Sequence, residues 1–279
     1  MRVYLSVDME GLAGVAHPAQ TYVDATRGGD LADYERSRTL MAGETNAAIE
    51  ACLDAGATEV VVNDSHWRMR NLRAEELHPA ARLIIGAKPM SMCQGIERGF
   101  DAAAFIGYHA GAGHPTGVIG HTYSSEAVMA VRVNDVPYNE AGINALVLAK
   151  YGVPVVMVSG DDALAEEIEQ LLPWAERVIV KRALGERLTE SLSPSRAHEA
   201  IRDGLAGALA RLSEMPPYRL PERLHLEVDL RLPVMADYAA LMQGVERIGP
   251  RTVGIDGADP EVAYGTFLSV TRLAWFAVQ

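Results

Sequence analysis

The segment VYLSVDMEGLAG, residues 3–14, sends a short apolar run directly into two carboxylates, Asp8 and Glu10. In an extended chain Val3, Leu5 and Val7 face one side, while Tyr4, Ser6, Asp8 and Glu10 face the other, so both acids project together from the strand's carboxyl end. The pattern recurs. EVVVNDSHW (59–67) delivers Asn63, Asp64 and His66, and AAAFIGYHAGAG (102–113) delivers His109 ahead of a glycine-rich loop that carries His114. Carboxylates and imidazoles gathered at one edge are metal-ligand chemistry, and oxygen plus imidazole donors suit Zn²⁺, Mn²⁺ or Co²⁺. Two acids at i and i+2 with separate histidines fit a two-metal site, in which a bridging Asp8 would join ions roughly 3.5 to 4 Å apart. The cations would neutralise acids that otherwise repel one another. Each residue alone has a plainer reading. Asp8 or Glu10 could cap a turn, a single histidine is ordinarily a hydrogen-bonded core or surface residue, and Glu140 sits in a first helical turn where the dipole favours an acid. The metal reading rests on the convergence of Asp8, Glu10, His66 and His109 at strand ends.

The elements that must position these residues are short apolar runs at 2–7, 59–63, 81–86, 102–107, 153–160 and 176–181, separated by amphipathic stretches such as 33–55. That alternation predicts an α/β fold with a mainly parallel central sheet flanked by helices. Ligands in such sheets bind in the crevice outside the carboxyl ends of the strands. Asn134-Asp135 between two short apolar runs predicts a hairpin, read as an antiparallel excursion within the parallel sheet, with Asn139 opening a helix through Lys150. A helix over 161–172 follows, capped by Ser159 or Asp161. Beyond Lys181 the texture changes to a helix over 193–212 and the proline-rich junction EMPPYRLPERL (214–224). A strand at 224–232, a short helix near 236–243, strands around 245–256 and a last helix opened by Asp259 and Pro260 complete the chain. The expected division is a metal-binding catalytic α/β domain, 1–190, and a smaller C-terminal α+β domain, 191–279, whose apolar last helix docks on the rest of the chain or on another subunit.

Composition excludes several classes. Across 279 residues the formal net charge is −12, which argues against nucleic acid as the main partner, because duplex binding needs a basic surface. A small molecule, a metal or another subunit is the expected partner. Cys52 and Cys93 are the two cysteines and make neither a disulfide framework nor a CxxC motif. No run reaches the roughly 18 apolar residues of a membrane span, and the first residues lack the features of a signal peptide, so the cytoplasm is the expected compartment. GAGHPTG (111–117) lacks the lysine of a P-loop, no GxSxG elbow is present, and Ser159 reads as a cap.

The blocks YLSVDMEGLAG, VVVNDSHW, FIGYHAGAG, GHTYS and NEAGINALVLAKYGVPVVMVSGDD occur in order over about residues 2–165. Together they resemble the M55 peptidase family of DppA-type D-aminopeptidases. The resemblance implies a binuclear aminopeptidase with two Zn²⁺ per chain, which hydrolyses the N-terminal residue of short peptides, including D-amino-acid peptides, through a metal-activated water. It implies Asp8 as the bridge, Glu10 and His109 completing much of one ligand set, and His66 and Glu140 serving the other. His121, in GHTYS, matches the catalytic position and would act as general base or acid or stabilise the oxyanion. Glu140 and His121 therefore enter through the resemblance, whereas the other four came from the residues themselves. Glu10 or Asp64 is expected to help recognise the substrate's amino terminus. A homo-oligomeric ring, a decamer, is implied as well. The competing functions are a dinuclear metal phosphoesterase or amidase on another small substrate, and a metal-stabilised binding protein without catalysis.

Overall fold

The computed structural model describes residues 1–24, 28–216 and 218–278. The chain runs β1 (Arg2–Val7), α1 (Leu31–Asp54), β2 (Glu59–Asp64), β3 (Ala81–Ile84), β4 (Ala102–Ile106), β5 (Val128–Val133), β6 (Val136–Pro137), α2 (Glu140–Lys150) and β7 (Val155–Asp161). It continues α3 (Asp162–Leu171), β8 (Glu176–Gly185), β9 (Leu188–Ser191), α4 (Pro194–Ala210), β10 (Leu224–Leu230), α5 (Pro233–Ala239), β11 (Val245–Arg247), β12 (Thr252–Gly257) and α6 (Pro260–Phe276).

Strand β1 is buried on both faces, the usual condition of a parallel sheet. On one face Val3, Leu5 and Val7 join Met41, Ala48 and Cys52 of α1 and Ile201 and Leu205 of α4. On the other, Tyr4 belongs to a second cluster with Phe105, Ile143 of α2 and Ile168 of α3. The sheet has seven strands in the order β3-β2-β1-β4-β7-β8-β9. It is parallel throughout except where β9 turns back along β8. From β1 the chain builds outward through β2 and β3 on one side, then returns to β4, β7 and β8 on the other. The carboxyl ends of β1 and β4 therefore flank a topological switch point, where an α/β sheet leaves a crevice for ligands.

The hairpin expected at Asn134-Asp135 forms, with both residues in the left-handed region at φ 50° and 69°, the requirement of a type I′ turn. Its placement corrects the sequence reading. Strand β5 pairs antiparallel with β10, Val228 opposite Val131 and Leu226 opposite Val133, so the hairpin belongs to a second, five-stranded sheet, β11-β12-β10-β5-β6. The alternating buried residues of β10 need a neighbour, and β5 supplies one from far away in sequence. Helix α4, expected in the smaller unit, instead buries Ala197, Ile201 and Leu205 on the first sheet beside α1. Of the proline-rich junction, Pro217 lies outside the described residues. Helix α6 buries Phe267, Val270 and Ala274 in the core and leaves Val262 and Phe276 exposed. Among the described residues no helix is long and apolar enough to cross a membrane.

The turn after β1 lies tightly against the end of β4. Gly11 donates its N–H to the Gly107 carbonyl at 2.8 Å, and a Cβ on Gly11 would overlap the Tyr108 carbonyl. Backbone-to-backbone overlap has no flexible side chain to absorb it. Gly11→Ala is expected to cost about 2–4 kcal/mol of stability, measured by urea unfolding. A loss below about 0.5 kcal/mol, the range of neutral surface changes, would mean the turn is not constrained as described.

Candidate metal centre

Each side chain reaches the crevice by a local rule. Asp8 continues the pairing of β1, its N–H donating to the Ile106 carbonyl at 2.8 Å, and Glu10 follows in the turn. The 8–15 turn is further pinned by Lys181, a buried lysine of β8 whose Nζ donates to the carbonyls of Glu10 and Val15, at 2.5 and 2.6 Å. His66 is carried by the loop after β2, and Asp64 ties off that loop. Its carboxylate accepts from the Asn71 side-chain amide and the Leu72 N–H, both at 2.7 Å, and from the Asn71 N–H. Asp64 is thus committed to the loop and does not line the cavity, contrary to the expectation that it might receive a substrate amine. His109 follows β4. Glu140 is the first residue of α2, whose N-cap Asn139 accepts from the Gly142 N–H at 2.8 Å, and the Tyr123 N–H donates to Glu140 Oε1 at 2.7 Å. His121 comes from the irregular segment between β4 and β5. His114, in the same segment, uses Nδ1 to accept from the Thr116 and Gly117 N–H groups and stays outside the group.

The side chains that converge are Asp8, Glu10, His66, His109, His121 and Glu140. Asp8, Glu10, His66, His109 and Glu140 are all buried, and His121 keeps 13% of its side chain exposed. Asp8 sits between the two halves. Its Oδ1 lies 3.3 Å from His66 Nδ1 and its Oδ2 lies 3.4 Å from His109 Nε2. Glu10 Oε2 approaches His66 Nδ1 to 2.9 Å, and Glu140 Oε1 is 3.5 Å from His109 Nε2 and 3.7 Å from His121 Nε2. The rings of His109 and His121 stack at 4.1 Å. In the metal-free cluster the shortest imidazole–carboxylate contacts are Glu10 with His66 and Glu140 with His109, while Asp8, Glu10 and His109 bring their ligating atoms within 4.8 Å of one another, the set the resemblance implied for one ion.

Backbone carbonyls select which imidazole nitrogen faces the centre. His66 Nε2 lies 2.8 Å from the Thr21 carbonyl, His109 Nδ1 lies 3.0 Å from Ala110 O, and His121 Nδ1 lies 2.9 Å from Ile119 O. A carbonyl can only accept, so in the neutral ring each of those nitrogens carries the proton and the opposite nitrogen turns a lone pair inward. Metal-binding histidines are oriented in this way.

Two further observations fit cations here. Among the described residues, buried side-chain polar atoms without a hydrogen-bond partner are Glu10 Oε1 and Oε2, His109 Nε2 and Glu44 Oε2, so three of the four lie in this cluster. Groups of this kind are costly unless something pairs with them. The electrostatics agree. Burial, reinforced by the charges of Asp8 and Glu10 and opposed by His109, pushes Glu140 up to about 7. Burial opposes a charged His109, yet Glu140 and Asp8 outweigh it and raise the ring to about 10. Burial likewise works against a charged His66, and Glu10 and Asp8 hold it well above its ordinary value. His121 goes the other way, pulled down to about 4 by burial and by the neighbouring His109. Three buried acids demand positive charge. Protons on the imidazoles supply it in the protein alone, and metal ions could supply it instead. The ligating atoms of Asp8, Glu10 and His109 lie within 4.8 Å of one another, as do those of His109, His121 and Glu140.

The centre forms one end of a cavity of about 980 Å³. The loop after His66 lines it on one side, and Leu268, Thr271, Arg272 and Trp275 of α6 line it on another, so the C-terminal helix completes the pocket.

An α/β sheet with buried acids and inward-facing imidazoles at its switch point defines a metalloenzyme of the α/β class. The chain belongs to the M55 peptidase family, described as D-aminopeptidase, which matches residues 1–269. It is 40% identical to the D-aminopeptidase of Bacillus subtilis (strain 168) over 279 residues, covering 98% of each chain. Its fold is similar to that of the Zn-dependent D-aminopeptidase DppA from Bacillus subtilis, described as a self-compartmentalizing protease. That match has a TM-score of 0.91 and 39% identity, and covers 99% of this chain and 98% of the other.

Proposed function

We propose that this protein is a zinc-dependent aminopeptidase that removes the N-terminal residue of short peptides, D-amino-acid peptides among them. In this reading Asp8 would be shared by two zinc ions, Glu10 and His109 would hold one, His66 and Glu140 would hold the other, and His121 would handle the proton. The observation that carries it is the buried, unsatisfied donor set around Asp8: Glu10 Oε1 and His109 Nε2 have no hydrogen-bond partner among the described residues, and His109 Nε2 lies 3.4 Å from Asp8 Oδ2. When bound, zinc supplies Lewis acidity, which polarises a peptide carbonyl and makes water acidic enough to attack at neutral pH. His121 holds its Nδ1–H on the Ile119 carbonyl, so Nε2 is free to take a proton from the attacking water and return it to the departing amine. The acids at the closed end of the cavity attract a substrate ammonium group. The walls from α6 and the 66–70 loop hold the peptide and exclude bulk water.

The same reading includes assembly into a homo-oligomeric ring, the decamer implied by the resemblance, supported by the self-compartmentalizing relative. The cytoplasm suits a chain whose two cysteines are both free and buried.

The test is to load purified protein with zinc and supply D-Ala-D-Ala, L-Ala-L-Ala and an aryl phosphate ester. Release of free alanine from a dipeptide, with turnover abolished by chelator and restored by zinc, is the expected result. Cleavage of the phosphate ester without peptide hydrolysis would favour the phosphoesterase, and neither activity would leave a binding protein.

A further inference from the structure

The cavity holds charge that the metal centre does not use. Lys88 lines it and is 8% exposed. Its ammonium donates to Asn63 Oδ1 and to the Asp64 carbonyl. An ammonium has three donors, and no carboxylate lies within ion-pair reach of this one among the described residues. Burial pulls Lys88 down to about 8, which still leaves it charged at neutral pH. Its hydrogen-bond acceptors are neutral and the charge of the nearby Asp64 offsets its burial only in part, so an anion entering the cavity would complete it. Further cations line the same cavity: Arg70 and Arg272 form no ion pair among the described residues, and Arg68 stacks over Trp67 at 4.3 Å. Glu126, the lining acid outside the centre, accepts from Trp275 Nε1 at 2.7 Å. The cavity is therefore polarised, with acids at the metal end and cations along its wall.

A short peptide is polarised the same way, amine at one end and carboxylate at the other. The carbonyl that Lys88 holds lies two residues before His66, so the ammonium and the metal centre adjoin the same stretch of one cavity's wall. We propose that Lys88, assisted by the arginines of the wall, receives the free C-terminal carboxylate of a di- or tripeptide whose amino end lies at the metal centre. The proposal rests on the aminopeptidase reading and adds a requirement to it: the substrate must end in a carboxylate close to the bond that is cut.

The test compares D-Ala-D-Ala with its C-terminal amide. Calorimetric binding to zinc-loaded His121→Ala protein reads the anchor without hydrolysis, and kcat/KM of the otherwise wild-type enzyme reads it in turnover. The acid is expected to bind about 10- to 100-fold more tightly than the amide, the range of a charge-assisted hydrogen bond. Lys88→Met should bring that ratio close to one and act mainly on KM, and Lys88→Arg should keep most of the preference. Zinc content and circular dichroism check that each variant is folded; if Lys88→Met fails that check, the unsubstituted comparison and Lys88→Arg decide. Equal binding of acid and amide, binding of neither, or an equal loss on both substrates in Lys88→Met would overturn the anchor. A preference for the acid in binding without turnover by the wild type would instead overturn the peptidase reading and leave the anchor standing.

Discussion

Asp8→Asn is expected to strip the protein of most of its zinc and to lower kcat/KM by about 10³-fold or more, equivalent to about 4 kcal/mol of transition-state stabilisation. The reason is position. Asp8 is the acid whose two oxygens face the two halves of the centre, Oδ1 toward His66 at 3.3 Å and Oδ2 toward His109 at 3.4 Å. Glu10 and Glu140 are expected to serve different ions, so losing either should weaken chiefly one of them. An asparagine amide has nearly the same shape but no charge, so folding should survive. Relief of repulsion among three buried acids should even make the metal-free variant at least as stable as the metal-free parent. Zinc that binds only the folded state raises Tm by mass action. Added zinc should therefore raise Tm in the parent and barely move it in Asp8→Asn. The measurements are elemental analysis after dialysis, a thermal melt with and without zinc, and initial rates on D-Ala-D-Ala. A variant that keeps two ions and activity within tenfold of the parent would remove Asp8 from the bridging position.

His121→Ala should separate chemistry from metal binding. Zinc content and the unfolding midpoint are expected to stay near those of the parent, while kcat falls by about 10²- to 10⁴-fold, the usual contribution of a positioned acid or base. His121 is the member of the cluster with side-chain surface still open to the cavity, and its ring is held by the stack on His109 and by the Ile119 carbonyl. It is oriented without being enclosed. The geometry offers one rival. His121 Nε2 lies 3.7 Å from Glu140 Oε1, near enough to share an ion with His109 and Glu140. Metal analysis decides between the two roles, since a third ligand lost should remove zinc together with activity. Turnover within threefold of the parent would exclude His121 from both.

Much of this centre is legible in the sequence because strands in a parallel α/β sheet all point the same way. Once residues 2–7, 59–63 and 102–107 read as strands, Asp8, Glu10, His66 and His109 must gather at one edge, whatever the detailed packing. Helix caps are equally local: Asn139, Asp161 and Asp259 each cap the helix they precede. Residues whose role depends on distant contacts are less visible. Glu140 has the ordinary signature of a first-turn acid, and only the packing of α2 beside the crevice turns that carboxylate toward His109. His121 lies in irregular chain, where no periodicity assigns a direction. Lys181 offered a faint signal, a lysine within the apolar VIVK run of β8, and Lys88 offered none.

The sequence by itself determined the parallel α/β core and the strand-end donors, since short-range alternation, caps and strand direction follow from the backbone alone. The tertiary structure decided the rest. It moved 128–137 into the second sheet, set α4 against α1, committed Asp64 to its own loop and brought Glu140 and His121 beside His109. Those outcomes depend on which apolar faces and buried polar atoms find partners far away in the chain, a competition that no local pattern records.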